Sequence, residues 1–227
     1  MRVVLLHSAL GDSRLWRHQI PALSGSFDVV APDLPGFGST PMPREEFSFV
    51  EFVDRSLPAA VVGNSMGGMI ALRTACAFPD RVERLVLVGA GMPGWEFTEE
   101  MRVYWAAEAE AIDAGDLEAA AEINLEFWVQ PELFDEVRPQ MLRALQLQTA
   151  HEEPPVRWPE ELDLGVLQMP VLVVVGADDK PDFRAIAQHL AESIPGSELA
   201  EVEGAGHLAG LDQPAALNEL LLEFLSR

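Results

Sequence analysis

Short apolar runs alternate along the chain with stretches whose apolar positions recur every three or four residues. The runs fall at 3–6, 28–31, 59–62, 85–88, 171–175 and 198–202, and the helical patterns near 15–23, 45–56, 66–78, 181–194 and 213–226. Continuous apolar runs separated by amphipathic helices predict an α/β fold, with a mostly parallel sheet of about six strands covered by helices on both faces. The run at 198–202 carries Glu198 and Glu201, which suit an edge strand better than a buried one. Pro or Gly punctuates most junctions, as at Pro21, Pro35-Gly36, Pro58, Pro79 and Pro195-Gly196.

The alternation stops between 93 and 167, where only helical patterns remain. A first helix opens at Phe97 or Thr98 and ends at Gly115. Asp116 caps a second helix over 117–129, closed by Pro131, and Pro139 suits the first position of a further helix reaching Ala150. Pro154, Pro155 and Pro159 then mark a return linker. The expected organisation is a core from 1–92 and 168–227, interrupted by a helical insertion at 93–167.

Composition narrows the function classes. The 227 residues are 48% hydrophobic and 23% charged, ordinary for a folded chain. Acids outnumber bases 37 to 15, a formal charge of −22, so neither nucleic acid nor an anionic membrane surface is an expected partner. Lys180 is the only lysine, and Cys76, the only cysteine, reads as a buried helical thiol. The apolar run after Met1-Arg2 stops at His7, shorter than a signal peptide requires, and no stretch reaches the length of a membrane span. A soluble, cytoplasmic protein is expected.

The strongest chemical signal is Gly63-Asn64-Ser65-Met66-Gly67, between the apolar run 59–62 and the helical pattern that follows. A sharp strand-to-helix turn lifts a serine Oγ clear of the sheet, and the helix N-terminus offers free N–H groups where an oxyanion would form. A serine hydroxyl needs a base. His207, in the glycine-rich loop Gly204-Ala205-Gly206-His207, can reach the strand ends; His18, His151 and His189 sit in helical or linker contexts, and His7 ends the first strand, where it serves shape. Asp178 and Asp179, after the run 171–175, are the candidate acids, and the residues alone do not separate them.

Taken together, His7–Gly11, the segment Asp33-Leu34-Pro35-Gly36-Phe37-Gly38-Ser39, Gly63–Gly68, Gly176–Asp179 and Gly206-His207 resemble the α/β-hydrolase superfamily. The chain is similar to its small cap-bearing members near the 3-oxoadipate enol-lactonase and carboxylesterase branch. The resemblance implies Ser65 as nucleophile, Asp179 over Asp178 as the acid, His207 as the base, and the backbone amides of Ala9 and Met66 as the oxyanion hole. Ser8 stands where the family usually has glycine, and the link from Phe47 to Pro58 leaves room only for a stunted helix. The insertion resembles the family's cap, with Trp105 and Trp128 as substrate-facing residues.

The implied reaction is hydrolysis of a small-molecule carboxylic ester or lactone through an acyl-enzyme, with no cofactor and no metal, by a monomer or homodimer. Carbon–carbon bond hydrolysis or lyase chemistry with the same three residues is the alternative. A non-catalytic ligand receptor on the same fold is the second.

Overall fold

In the computed structural model, residues 1–150, 156–158 and 162–227 are described. His151 and the three linker prolines lie outside them. Six strands follow in chain order: β1 (Arg2–Leu6), β2 (Asp28–Val30), β3 (Ala59–Asn64), β4 (Val82–Val88), β5 (Val171–Gly176) and β6 (Glu198–Val202). They form one sheet in the order β2-β1-β3-β4-β5-β6, with every neighbouring pair parallel. The expected edge position of β6 is observed.

Alternation along the strands divides the core in two. Val4 and Leu6, Val61, Leu85 and Leu87, and Val173 and Val175 face one layer of helices: α2 (Phe49–Asp54), α3 (Met66–Ala77) and α7 (Pro181–Ser193). Val3 and Leu5, Ala60 and Val62, Val86 and Val88, and Leu172 and Val174 face the other layer: α1 (Gln19–Leu23) and α9 (Pro214–Ser226). Both faces of the central strands are thus sealed, which is why β3 and β5 read as unbroken apolar runs.

Between β4 and β5 the chain forms α4 (Glu99–Asp113), α5 (Leu117–Trp128) and α6 (Phe134–Gln148). Ala121 and Leu125 of α5 and Val137, Met141 and Leu145 of α6 join Leu10, Leu15, Leu208 and Leu211 in one cluster, which fixes these helices over the loops at the strand C-termini. At the start of α4, the Thr98 amide and hydroxyl donate to the Asp182 carboxylate at 3.1 and 2.5 Å, tying it to the start of α7. The short α8 (Ala209–Asp212) follows the His207 loop. Among the described residues no helix is long and apolar enough to cross a membrane.

Several local expectations need correction. The pattern at 15–23 forms a 3-10 turn, Ser13–Trp16, and then α1, because the Asp12 carboxylate accepts from the Arg14 amide and opens a tight turn. The pattern at 45–56 narrows to α2, the stunted helix expected between Phe47 and Pro58, which starts where Ser48 Oγ accepts from the Glu51 amide. Pro139 does not begin a helix; it lies inside α6. Both Pro139 and Asp135, whose carbonyl loses its intrahelical donor, are exposed, so water can take the missing bond. Cys76 is half-buried, not buried, and its Sγ lies 3.4 Å from the Asp163 carbonyl oxygen. Burial pushes its thiol up to about 11, away from thiolate chemistry.

Candidate active site

Ser65 sits between β3 and α3 with φ 55° and ψ −115°, and it is the only non-glycine residue at positive φ among those described. Such a backbone persists only when its surroundings over-determine it. The Ser65 amide donates to the Val88 carbonyl at 2.9 Å, and the Ser65 carbonyl accepts from the amides of Met69 (2.9 Å) and Gly91 (3.2 Å). The close approach also demands glycine at 67, where a Cβ would overlap the backbone carbonyl oxygens of Leu6 and His7. Met66 opens α3, so its amide is among those with no acceptor inside the helix.

The loop after β6 carries His207, buried at 4% exposure. Its Nδ1 lies 3.0 Å from both carboxylate oxygens of Asp179, which is itself buried, whereas Asp178 is exposed. Asp179 Oδ1 also accepts from the Lys180 amide at 2.7 Å. A carboxylate at Nδ1 selects the tautomer with its proton there and leaves Nε2 as the acceptor. Gly89, at φ 48° after β4, lies beside this pair; a Cβ there would stand 3.1 Å from Asp179 Oδ2 and 3.4 Å from His207 Nδ1. The imidazole is flanked by Trp128 and Phe183, with ring centroids 4.4 and 4.5 Å away.

The turn Gly204–His207 is held from two sides. Asn64 Nδ2 donates to the carbonyl oxygens of Val88 (2.9 Å) and His207 (3.1 Å). Asp212 Oδ2 accepts from the Gly206 amide at 2.9 Å, while its buried Oδ1 has no hydrogen-bond partner among the described residues. Burial pushes the Asp212 carboxyl up to about 6, against the opposing pull of the Gly206 bond.

The loop after β1 closes the other side. Ser8 Oγ accepts from the Leu10 amide at 3.1 Å, so the hydroxyl that replaces the usual glycine shapes this loop. The buried His7 bridges two loops: Nδ1 lies 2.8 Å from the Ser8 carbonyl oxygen, and Nε2 accepts from the Leu34 amide at 2.9 Å. Only the neutral ring makes both bonds, and burial lowers the His7 pKa accordingly. In the neighbouring turn, burial opposes ionisation of Asp33, but hydrogen bonds from Ser13 and Ser39 outweigh it and bring the carboxyl down to about 2.

Ala9, Ser65 and His207 line one cavity of about 200 Å³. Trp105 and Trp128 line it as well, together with Phe183 and the buried Tyr104. The structure therefore brings Ser65, His207, Ala9 and both tryptophans to one space, with Asp179 behind the imidazole. Sequence reasoning missed Asn64, Gly89, Phe183 and Asp212. Asn64 stands inside the elbow motif as its variable position, and Gly89 directly follows an apolar run; those two carried a local signal.

Comparison with known proteins agrees with this architecture. The chain is 28% identical to a 2-hydroxy-6-oxo-2,4-heptadienoate hydrolase of Pseudomonas putida, over 93% of this chain and 83% of that protein. Over 38% of the chain it is 42% identical to a pimeloyl-[acyl-carrier protein] methyl ester esterase of Legionella pneumophila, covering 36% of that protein. Among solved structures, an enol-lactonase from Burkholderia xenovorans superposes with a TM-score of 0.78 at 22% identity, covering 100% of this chain and 91% of the other. The model of the alpha/beta hydrolase family matches residues 3–220, and the chain belongs to that family.

Proposed function

We propose that this chain hydrolyses a small carboxylic ester or lactone through an acyl-enzyme on Ser65. One observation carries the reading: a serine on a left-handed strand-to-helix turn shares a cavity with a histidine whose far nitrogen is held by a buried carboxylate. Ser65 Oγ attacks the ester carbonyl while His207 Nε2 takes its proton. The amides of Met66 and Ala9 hold the oxyanion, and Asp179 stabilises the imidazolium. Trp128 and Phe183, packed on the ring, add attraction to that cation. Collapse expels the alcohol, which leaves with the proton from His207. Water then attacks the acyl carbonyl, gives its proton to His207, and the acid departs as Ser65 regains its hydrogen.

In this reading 93–167 acts as the cap, supplying the aromatic wall opposite Ser65, and 1–92 with 168–227 forms the core. The relative named as a dienoate hydrolase favours a second reading, carbon–carbon bond hydrolysis by the same residues. A panel of p-nitrophenyl esters, lactones and dienoate ring-cleavage products, read by initial rate, separates the two. Labelling by a fluorophosphonate probe should be rapid and disappear in Ser65→Ala, whose ester turnover should fall by about a thousandfold or more. A folded Ser65→Ala protein that keeps its activity overturns both readings.

A further inference from the structure

The cavity in front of Ser65 carries charge of one sign. Its lining includes Glu108, Asn124 and Tyr104. The three are linked: Tyr104 Oη donates to Asn124 Oδ1 at 2.6 Å, and Asn124 Nδ2 donates to Glu108 Oε1 at 2.7 Å and to the Ala120 carbonyl at 2.8 Å. Burial, and then the neighbouring Glu108 charge, push the Tyr104 phenol pKa upward, so Tyr104 stays a neutral donor. Each polar group on the chain Tyr104-Asn124-Glu108 therefore has a fixed orientation, with the negative charge at its end.

Among the described residues no permanent cation answers that charge; His207, the base, is the one lining group that can turn positive. No Arg or Lys lines the cavity among the described residues, and the stretches 151–155 and 159–161 contain neither. Lys180 is engaged elsewhere, with Nζ 3.1 Å from Glu100 and 3.8 Å from the Phe127 ring centroid. Beyond the cavity, the formal charge of −22 adds a field of the same sign.

We propose that Glu108 sets the substrate class of the Ser65 site, favouring esters whose acyl chain carries an ammonium group and rejecting those whose acyl chain carries a carboxylate. The proposal rests on the reading of Ser65 as an ester-cleaving nucleophile. A second anion entering this space gives up its hydration with no Arg or Lys to meet it and faces a carboxylate besides. An ammonium group gains the partner that the protein itself does not provide. Tyr104 and Asn124 are positioning residues here, holding the Glu108 carboxylate toward the cavity.

The test compares kcat/KM for p-nitrophenyl esters of three acids of matched size: 4-(dimethylamino)butyrate, cationic; 5-methylhexanoate, neutral; and the glutarate monoester, anionic. The expected order is cationic, neutral, anionic, with about tenfold or more between the extremes. Glu108→Gln should shrink the cationic-to-anionic ratio by about tenfold, and Glu108→Asp, which keeps the charge, should largely retain it. An anionic ester cleaved best, or a ratio indifferent to Glu108→Gln, overturns the proposal.

If none of the three esters turns over, the esterase reading fails by itself, and the charge preference is read from binding instead. Calorimetric titration of Ser65→Ala with the corresponding primary amides should then show the cationic amide bound more tightly than the anionic one, with the difference lost in the Ser65→Ala, Glu108→Gln double variant. Equal binding of the two amides overturns the proposal independently of any turnover.

Discussion

Asn64 holds His207: its side-chain amide donates to the His207 carbonyl at 3.1 Å, so the residue next to the candidate nucleophile fixes the loop that carries the candidate base. The same amide reaches the Val88 carbonyl, binding the ends of β3 and β4 and the last loop into one unit. Asn64→Ala takes this donor from the His207 carbonyl, while the Val88 carbonyl keeps the Ser65 amide. It should cost about 1–3 kcal/mol in urea unfolding and lower kcat more than it raises KM. A variant that lost stability while keeping kcat would show that the bond braces the fold without placing the imidazole.

The neighbouring acids should separate cleanly. Asp179→Asn replaces the carboxylate at His207 Nδ1 by an amide, which can favour the wrong tautomer and stabilises imidazolium poorly, so turnover should fall by about three orders of magnitude. Asp178 is exposed, and Asp178→Asn should change turnover less than about twofold. Steady-state rates of the two variants on one ester, with circular dichroism to check folding, decide it. A crippled Asp178→Asn enzyme would contradict the assignment.

The two cavity tryptophans have different surroundings, and their substitutions should differ in kind. Trp105 is 40% exposed and packs edge-on to Phe97, with ring centroids 4.8 Å apart. Trp105→Ala should reorder acyl preference while fluorophosphonate labelling of Ser65 stays near the wild-type rate. Trp128 lies against the imidazole, so Trp128→Ala should lower kcat on every ester and slow labelling, by about tenfold. Parallel rate profiles for the two variants would remove the distinction.

Asp212 gives stability a pH dependence of defined sign. Its carboxyl titrates near 6 in the folded chain against an ordinary 3.8, so the folded state holds the proton more tightly than the unfolded state does. The associated stabilisation is full below pH 3.8 and is lost as pH rises through about 6. Asp212→Asn removes the buried charge while an amide oxygen can still accept from Gly206. Relative to wild type, the variant should gain about 2 kcal/mol between pH 4 and pH 7.5 in urea unfolding. A difference independent of pH would mean that Asp212 titrates like an exposed carboxylate.

How far the sequence could be read depended on the range of each signal. Val61 and Val173 belong to runs buried on both faces, and such runs are visible residue by residue. Ser65 was legible because its strand, turn and helix are contiguous. Pro139 misled because its position on the solvent side of α6 is a tertiary fact; locally, a proline looks like a helix start. Phe183 and Asp212 reach the His207 loop from α7 and α8, elements whose own patterns say nothing of what lies beside them. The paired acids show the limit most directly: Asp178 and Asp179 differ by one position, and only the turn after β5 points one into the interior.

The six-stranded order also governs when this chemistry could begin. Ser65 follows β3 at the middle of the sheet, whereas His207 follows β6 at its edge, with Asp179 in the turn after the intervening β5. On a ribosome the serine would emerge more than a hundred residues ahead of the histidine. The strained elbow would meanwhile lean on Met69, Val88 and Gly91. A nascent chain would therefore carry an inert hydroxyl, armed only when the final strand docks, and reactivity toward an acylating probe would serve as a clock for the last step of folding.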